Sequence, residues 1–215
     1  MNDIDNYEKN GVDNLIIAEY KGDQKEIIIP EGVLWIDHYA FKDNKNIETV
    51  YMPESVGFIG EEAFAGCTSL KYVHLSSQIQ RINDRAFKGC TSLEEIVIPG
   101  TPFIGDESFK DCTSLKYIKV FEGCEEVGFS AFENCTSLEC ADLCDSIKEI
   151  CGGAFWNCQK LNQILLPSGE DIDLIFEECF KGCGILKARL DNNENIEDEP
   201  VPDNPYDPIE DDQPV

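Results

Sequence analysis

Seven phenylalanines recur along this chain at a nearly constant interval, and that recurrence limits the fold more than any other feature. Phe41, Phe64, Phe87, Phe109, Phe132, Phe155 and Phe180 are separated by 23, 23, 22, 23, 23 and 25 residues. A fixed period of this size marks a repeat architecture. One unit cannot bury its apolar side chains alone, so units must stack.

Other columns keep the same register. Five residues before each Phe stand Ile36, Ile59, Ile82, Ile104, Val127, Ile150 and Ile175. Three after it come Asn44, Cys67, Cys90, Cys112, Cys135, Cys158 and Cys183, and six after it Ile47, Leu70, Leu93, Leu115, Leu138, Leu161 and Leu186. The string Cys-Thr-Ser-Leu occurs four times. Two after the Phe the chain reads Asp43, Gly66, Gly89, Asp111, Asn134, Asn157 and Gly182. These residue types tolerate positive φ, so the column predicts a left-handed residue closing a short helical turn. From the Ile to this residue there is room for one or two turns of α- or 3₁₀-helix.

The other half of each unit reads as a strand. Leu70, Val73 and Leu75 fall on one face, and Ile96-Val97-Ile98 and Ile164-Leu165-Leu166 match them. Pro30, Pro53, Pro99 and Pro167 then end the strand, because proline cannot donate to a continuing ladder. Stacking the units, Phe on Phe and Ile on Ile at about 4.8 Å, joins the strands into a parallel sheet. The fold class expected is a β-rich α/β repeat of seven units of about 23 residues. The cysteine column points inward, where a thiol acts as a small hydrophobe whose S–H can satisfy a carbonyl of its own turn. No Cys-x₂-Cys pair occurs, which argues against a structural metal site.

The unit Leu-x-x-Val-x-Leu … Ile-x-x-x-Ala-Phe-x-Gly-Cys-Thr-Ser-Leu resembles the BspA-like leucine-rich repeat over residues 26–190. The resemblance implies a right-handed solenoid with a strand-lined concave face and short helical turns on the convex side. It implies surface adhesins or interaction modules of microbes, with no common catalytic residues.

Three segments are expected. Residues 1–25 give an N-terminal lead and a capping strand, 26–190 the solenoid, and 191–215 a disordered acidic tail. Leu15–Tyr20 and Glu26–Ile29 flank Lys21-Gly22-Asp23 and read as a β-hairpin. The tail holds five prolines and no Lys or Arg, a composition that cannot bury enough apolar surface to order itself. The formal net charge of −26 disfavours nucleic acid and anionic membranes, both of which need a basic footprint. No apolar run is long enough to span a bilayer, and the start, MNDIDNYEKNGVDN, lacks the basic and apolar regions of a leader. A cytoplasmic monomer is therefore expected, or a cell-surface protein if a leader has been removed.

Catalytic chemistry finds no support. The two histidines, His38 and His74, occupy different positions of the unit. The chain lacks a Walker loop, G-x-G-x-x-G, H-E-x-x-H and G-x-S-x-G. No catalytic residue, metal ligand or cofactor is assigned. Cys140 falls on the outer face of its strand, where an exposed thiol could be redox-active. The outward strand positions read Thr49/Tyr51, Tyr72/His74, Glu95/Val97, Tyr117/Lys119, Cys140/Asp142 and Gln163/Leu165. Tyrosine offers apolar area and a hydroxyl at low entropic cost and is enriched in interfaces. Tyr51, Tyr72, His74, Glu95, Tyr117 and Lys119 are thus the candidate partner-binding residues. The function expected is a non-enzymatic protein-binding scaffold, or alternatively an adhesin or structural protein of the cell surface.

Overall fold

The computed structural model describes residues 16–165 and 176–183. Each coil carries two strands where the sequence pattern predicts one. The Ile column forms two-residue strands: β1 (Ile16–Ile17), β3 (Trp35–Ile36), β5 (Phe58–Ile59), β7 (Arg81–Ile82), β9 (Phe103–Ile104), β11 (Glu126–Val127) and β13 (Glu149–Ile150). They join in that order into one seven-stranded parallel sheet. The expected strand positions form β2 (Glu26–Ile28), β4 (Thr49–Tyr51), β6 (Tyr72–His74), β8 (Glu95–Ile98), β10 (Tyr117–Val120), β12 (Cys140–Asp142) and β14 (Gln163–Leu165). This second set divides into β2-β4-β6 and β8-β10-β12-β14. Register follows the repeat: Ile17 pairs with Ile36, Ile36 with Ile59, and Ile59 with Ile82. The chain is a parallel-strand solenoid of about seven turns, each differing from the next by one strand spacing.

Between the sheets lies a continuous core. The six steps of the Phe column, from Phe41 to Phe180, have ring centroids 4.7–5.2 Å apart and interplanar angles of 3–11°. At the N-terminal end Tyr20 lies against Phe41 at 5.1 Å, so it covers the first ring. Cys67, Cys90, Cys112, Cys135 and Cys158 are fully buried. Their thiols satisfy the carbonyl of the Phe one coil back, not one in their own turn. Cys67 Sγ lies 3.1 Å from Phe41 O, Cys90 Sγ 3.2 Å from Phe64 O, and Cys183 Sγ 3.2 Å from Phe155 O. Burial pushes the Cys67 thiol up to about 12 and Cys90 and Cys112 well above the usual thiol range. Asn44 holds the same column position in the first coil and donates its side-chain amide to Gly22 O at 3.3 Å. The serine of the Cys-Thr-Ser-Leu string adds another link, Ser69 Oγ to Lys45 O at 2.7 Å and Ser92 Oγ to Thr68 O at 2.6 Å.

The short helical turns expected beside the Phe are absent. Among the described residues the only helix is α1 (Phe176–Cys179). The left-handed column after the Phe is present, with φ of 60–88° from Asp43 to Gly182. A second left-handed column stands two residues before the Phe, at Tyr39, Glu62, Arg85, Glu107, Ser130 and Gly153, with φ of 52–71°. A left-handed residue in mid-segment cannot belong to a right-handed helix, so the backbone becomes a chain of separate turns. Its N–H groups then point along the stack. Tyr39, Phe41 and Asp43 donate to Glu61 O, Ala63 O and Ala65 O at 2.7–3.0 Å, and the pattern repeats in the following coils. Left-handed conformations at non-glycine residues cost on the order of 1 kcal/mol each. Three inter-coil hydrogen bonds per turn offset that cost.

The expected hairpin is also replaced. β1 pairs in parallel with β3, and β2 pairs in parallel with β4 in the other sheet. The two strands flanking Lys21-Gly22-Asp23 therefore form a shortened leading coil, and each extends its own sheet. The strand expected at 186–190 and the acidic tail 191–215 lie outside the described residues.

One position breaks the core pattern. The residue before the column Phe is Ala40, Ala63, Ala86, Ala131 and Ala154 in five coils, Cys179 in the last, and Ser108 in the fourth. Ser108 is fully buried and its hydroxyl has no hydrogen-bond partner among the described residues. Ser108→Ala is expected to raise the unfolding free energy by about 1 kcal/mol, because it removes an uncompensated desolvation cost. Urea denaturation checks this, and a lower midpoint would show that the hydroxyl is satisfied in solution.

Candidate functional site

The six candidate residues lie on β4, β6, β8 and β10, facing away from the core. Val50, Val73, Ile96 and Ile118, between them in sequence, are buried. Tyr51 is 40 % exposed and stacks on His74 with centroids 4.5 Å apart and rings within 1° of parallel. Tyr72, His74 and Glu95 share one cleft. Tyr117 is paired with Glu95 in register and is half-buried, with its hydroxyl shielded from solvent. Lys119 lies 3.8 Å from Asp142 and 5.1 Å from the Phe121 ring centroid.

The strands of this face do not form one continuous sheet. β6 and β8 are adjacent but do not continue one hydrogen-bonded ladder. The link that follows β8 is one residue shorter than the one that follows β6. From Leu75 to Ile82 is seven positions, and from Ile98 to Ile104 only six. The single 22-residue interval of the repeat is this shortened link, Pro99-Gly100-Thr101-Pro102. It folds against the next coil, so closely that a Cβ on Gly100 would lie 2.1 Å from Glu122 O. On its other side, toward β6, a cleft of about 460 Å³ opens. Besides Tyr72, His74 and Glu95, its walls include Glu54, Val97 and Phe121. Phe121 is 45 % exposed and was not among the candidates. The 22-residue interval was the available signal for it.

Charge is distributed unevenly around this face. Lys25 and Lys71 hold Glu48 between them at 2.6 and 2.9 Å, which lowers its carboxyl to about 2. On the turn side Lys88 lies 2.6 Å from Glu107, and Lys110 lies 2.9 Å from Glu133. Glu54 and Glu95 make no ion pair among the described residues. Ser77 Oγ donates to Glu54 at 2.5 Å.

Other sites suggested by composition do not assemble. Cys140 is only 8 % exposed and burial raises its pKa, so the exposed redox thiol is not there. His38 accepts the Glu61 N–H at 3.0 Å, a structural bond between coils, while His74 stacks on Tyr51. Among the described residues no group of His, Cys, Asp and Glu is placed to hold a metal. None of the described helices is long and apolar enough to cross a membrane. A second aromatic stripe, Trp35, Phe58 and Phe103 with Arg81 over Phe103, lines the outer side of the seven-stranded sheet. It escaped the sequence reading because the two-residue strands were unforeseen.

Stacked coils, an inward leucine, isoleucine and phenylalanine column, and side chains repeated from strand to strand define a leucine-rich-repeat solenoid. The BspA type leucine rich repeat region matches residues 19–102 and 101–200 in six copies, and the chain belongs to that family. A comparison with curated proteins finds no match. Among solved structures, a leucine rich cell surface protein from Faecalibacterium prausnitzii is similar at 34 % identity and a TM-score of 0.57, over 59 % of this chain and 34 % of that one. The chain thus spans about a third of that protein. The leucine rich repeat protein of T. pallidum is similar at 28 % identity and TM-score 0.54, over 84 % of this chain and 78 % of that one. The pneumococcal vaccine antigen PcpA shares the fold at 16 % identity and TM-score 0.64, over 79 % of this chain and 43 % of that one.

Proposed function

We propose that the chain is a non-enzymatic binding module, acting as a monomer, and that a protein partner docks on the outward face of β4, β6, β8 and β10. The observation that carries this reading is the aromatic surface that runs from Tyr51 through His74 and the cleft to Phe121. Exposed amphipathic rings around a concavity are what an interface hot spot requires. Apart from Lys119–Asp142, the described ion pairs lie at the strand ends and the turn side.

The test begins with a partner isolated from the source cells on the intact chain and then purified. Tyr51→Ala with Phe121→Ala is expected to weaken its binding by about 2 kcal/mol, measured by calorimetry. Both side chains are exposed, so the fold should persist. The control pair is Phe129→Ala with Trp156→Ala, more exposed aromatics on the turn side. Loss of binding in the control pair alone would move the interface to the turns.

A second reading concerns where the module works. The cytoplasm and the cell surface are the two alternatives. The similarity to a cell surface protein favours an adhesin or structural role outside the cell. Protease treatment of intact source cells separates the two: a surface protein is digested and a cytoplasmic one is protected.

A further inference from the structure

The geometry points to a specific anchor: the cleft between β6 and β8 takes the cationic side chain of an arginine or lysine in a basic, extended segment of the partner. This rests on the reading that partners dock on the outward face, and it adds the chemistry by which they are recognised.

Four observations support it. The first is size. At about 460 Å³ the cleft lies toward the lower end of small-ligand sites, roughly 300–1,000 Å³, which suits one anchor side chain rather than a folded element. The second is its wall. Val97, Leu75 and Pro99 supply apolar surface for an aliphatic stem, and the aromatic residues Tyr72 and Phe121 also line the wall. Long basic side chains bury such stems while their charged heads seek polar partners. Phe121 already carries a cation in the chain itself, the Lys119 ammonium at 5.1 Å. Lys119 is not part of the cleft wall, and Asp142 holds it at 3.8 Å.

The third observation is charge. The ionised side chains on the wall are Glu54, which accepts from Ser77, and Glu95, and among the described residues neither makes an ion pair. A guanidinium offers five N–H donors to such carboxylates, and charge-assisted bonds are the stronger ones. The fourth is the field of the whole molecule. A formal net charge of −26 draws basic segments toward the surface and repels acidic ones. The long-range field selects the sign of the partner. The cleft selects where its charge is placed.

The experiment is an NMR titration of the isotope-labelled, full-length chain. The probes are two capped peptides, Gly-Ser-Gly-Arg-Gly-Ser-Gly and its twin with Gln in place of Arg. The arginine peptide is expected to shift the amides of Tyr72, His74, Glu95, Val97 and Phe121 saturably, and the glutamine peptide is not. Glu54→Gln with Glu95→Gln should raise the dissociation constant at least about tenfold. Glu31→Gln with Glu149→Gln removes the same charge elsewhere and should change it less than about twofold.

Several results overturn the proposal: no saturable shift, shifts spread over the acidic surface, equal binding of the glutamine peptide, or an unchanged constant in the Glu54/Glu95 variant. Failure here, with the Tyr51/Phe121 variant still losing its partner, leaves the docking face standing with an anchor that is not cationic. Loss of the docking face reads out separately, as a Tyr51/Phe121 variant that binds its partner like the wild type.

Discussion

Phe87→Ala is expected to lower the unfolding free energy by about 3–5 kcal/mol, the range for removing a large buried aromatic. Phe87 is fully buried and stacks on both sides, 5.1 Å from Phe64 and 5.2 Å from Phe109. Truncation removes the contacts on both its faces and leaves a void that the coils cannot close, because backbone bonds fix their spacing. Phe87 N donates to Ser108 O at 2.7 Å, and Cys112 Sγ reaches Phe87 O at 3.3 Å. Neither bond yields when the ring is lost. Phe58 is the control, since it lies on the outer side of β5 and is only partly buried. Phe58→Ala should cost clearly less in urea melts. Equal losses would mean that the column does not organise the core.

Gly105→Ala is expected to cost about 3 kcal/mol, the upper part of the usual range for overfilling a packed interior. An added Cβ would lie 2.5 Å from Asn83 C, 2.6 Å from Asp84 N and 2.8 Å from Asn83 O. All three atoms belong to the backbone of the preceding coil. Asn83 N donates to Ile59 O at 3.0 Å and Gly105 N to Ile82 O at 3.0 Å, so neither coil can withdraw without loosening a ladder. The same methyl on Gly152 meets only side-chain atoms, the nearest at 3.7 Å, and Gly152→Ala should be nearly neutral. Thermal denaturation of the two variants gives the comparison. A Gly105→Ala protein as stable as the wild type would show that the coils have slack.

The column residues were legible because a stack imposes one constraint at every coil. A Phe, Ile or Cys that must meet its own copy leaves a periodic trace, and among the described residues from Phe41 to Phe180 the trace predicts burial correctly. Departures from the expected architecture come from the backbone, which leaves a weaker trace. Tyr39, Glu62, Arg85, Glu107 and Ser130 share a left-handed φ but no residue type, so nothing in their chemistry announced that the helical turns would be replaced. The two-residue strands were hidden similarly, since Trp35, Phe58 and Arg81 precede the Ile column without a common side chain. At the candidate site the outward residues followed from alternation. The cleft did not: it lies beside the link shortened by one residue between Ile98 and Ile104, where Gly100 lets the backbone approach Glu122.

The ladders have a mechanical consequence. The inter-coil hydrogen bonds, from the thiols, the serines and the turn N–H groups alike, join a coil to its immediate neighbour in the stack. A pull applied at the two ends is therefore carried in series through every interface, and the first to yield is the weakest. Each coil that peels away releases its roughly 23 residues, about 80 Å of contour length at full extension. Such a molecule lengthens in steps under tension, dissipating work at each one, while the coils still stacked keep their shape. A tether built this way gives ground gradually where a globular domain of equal size would fail at once.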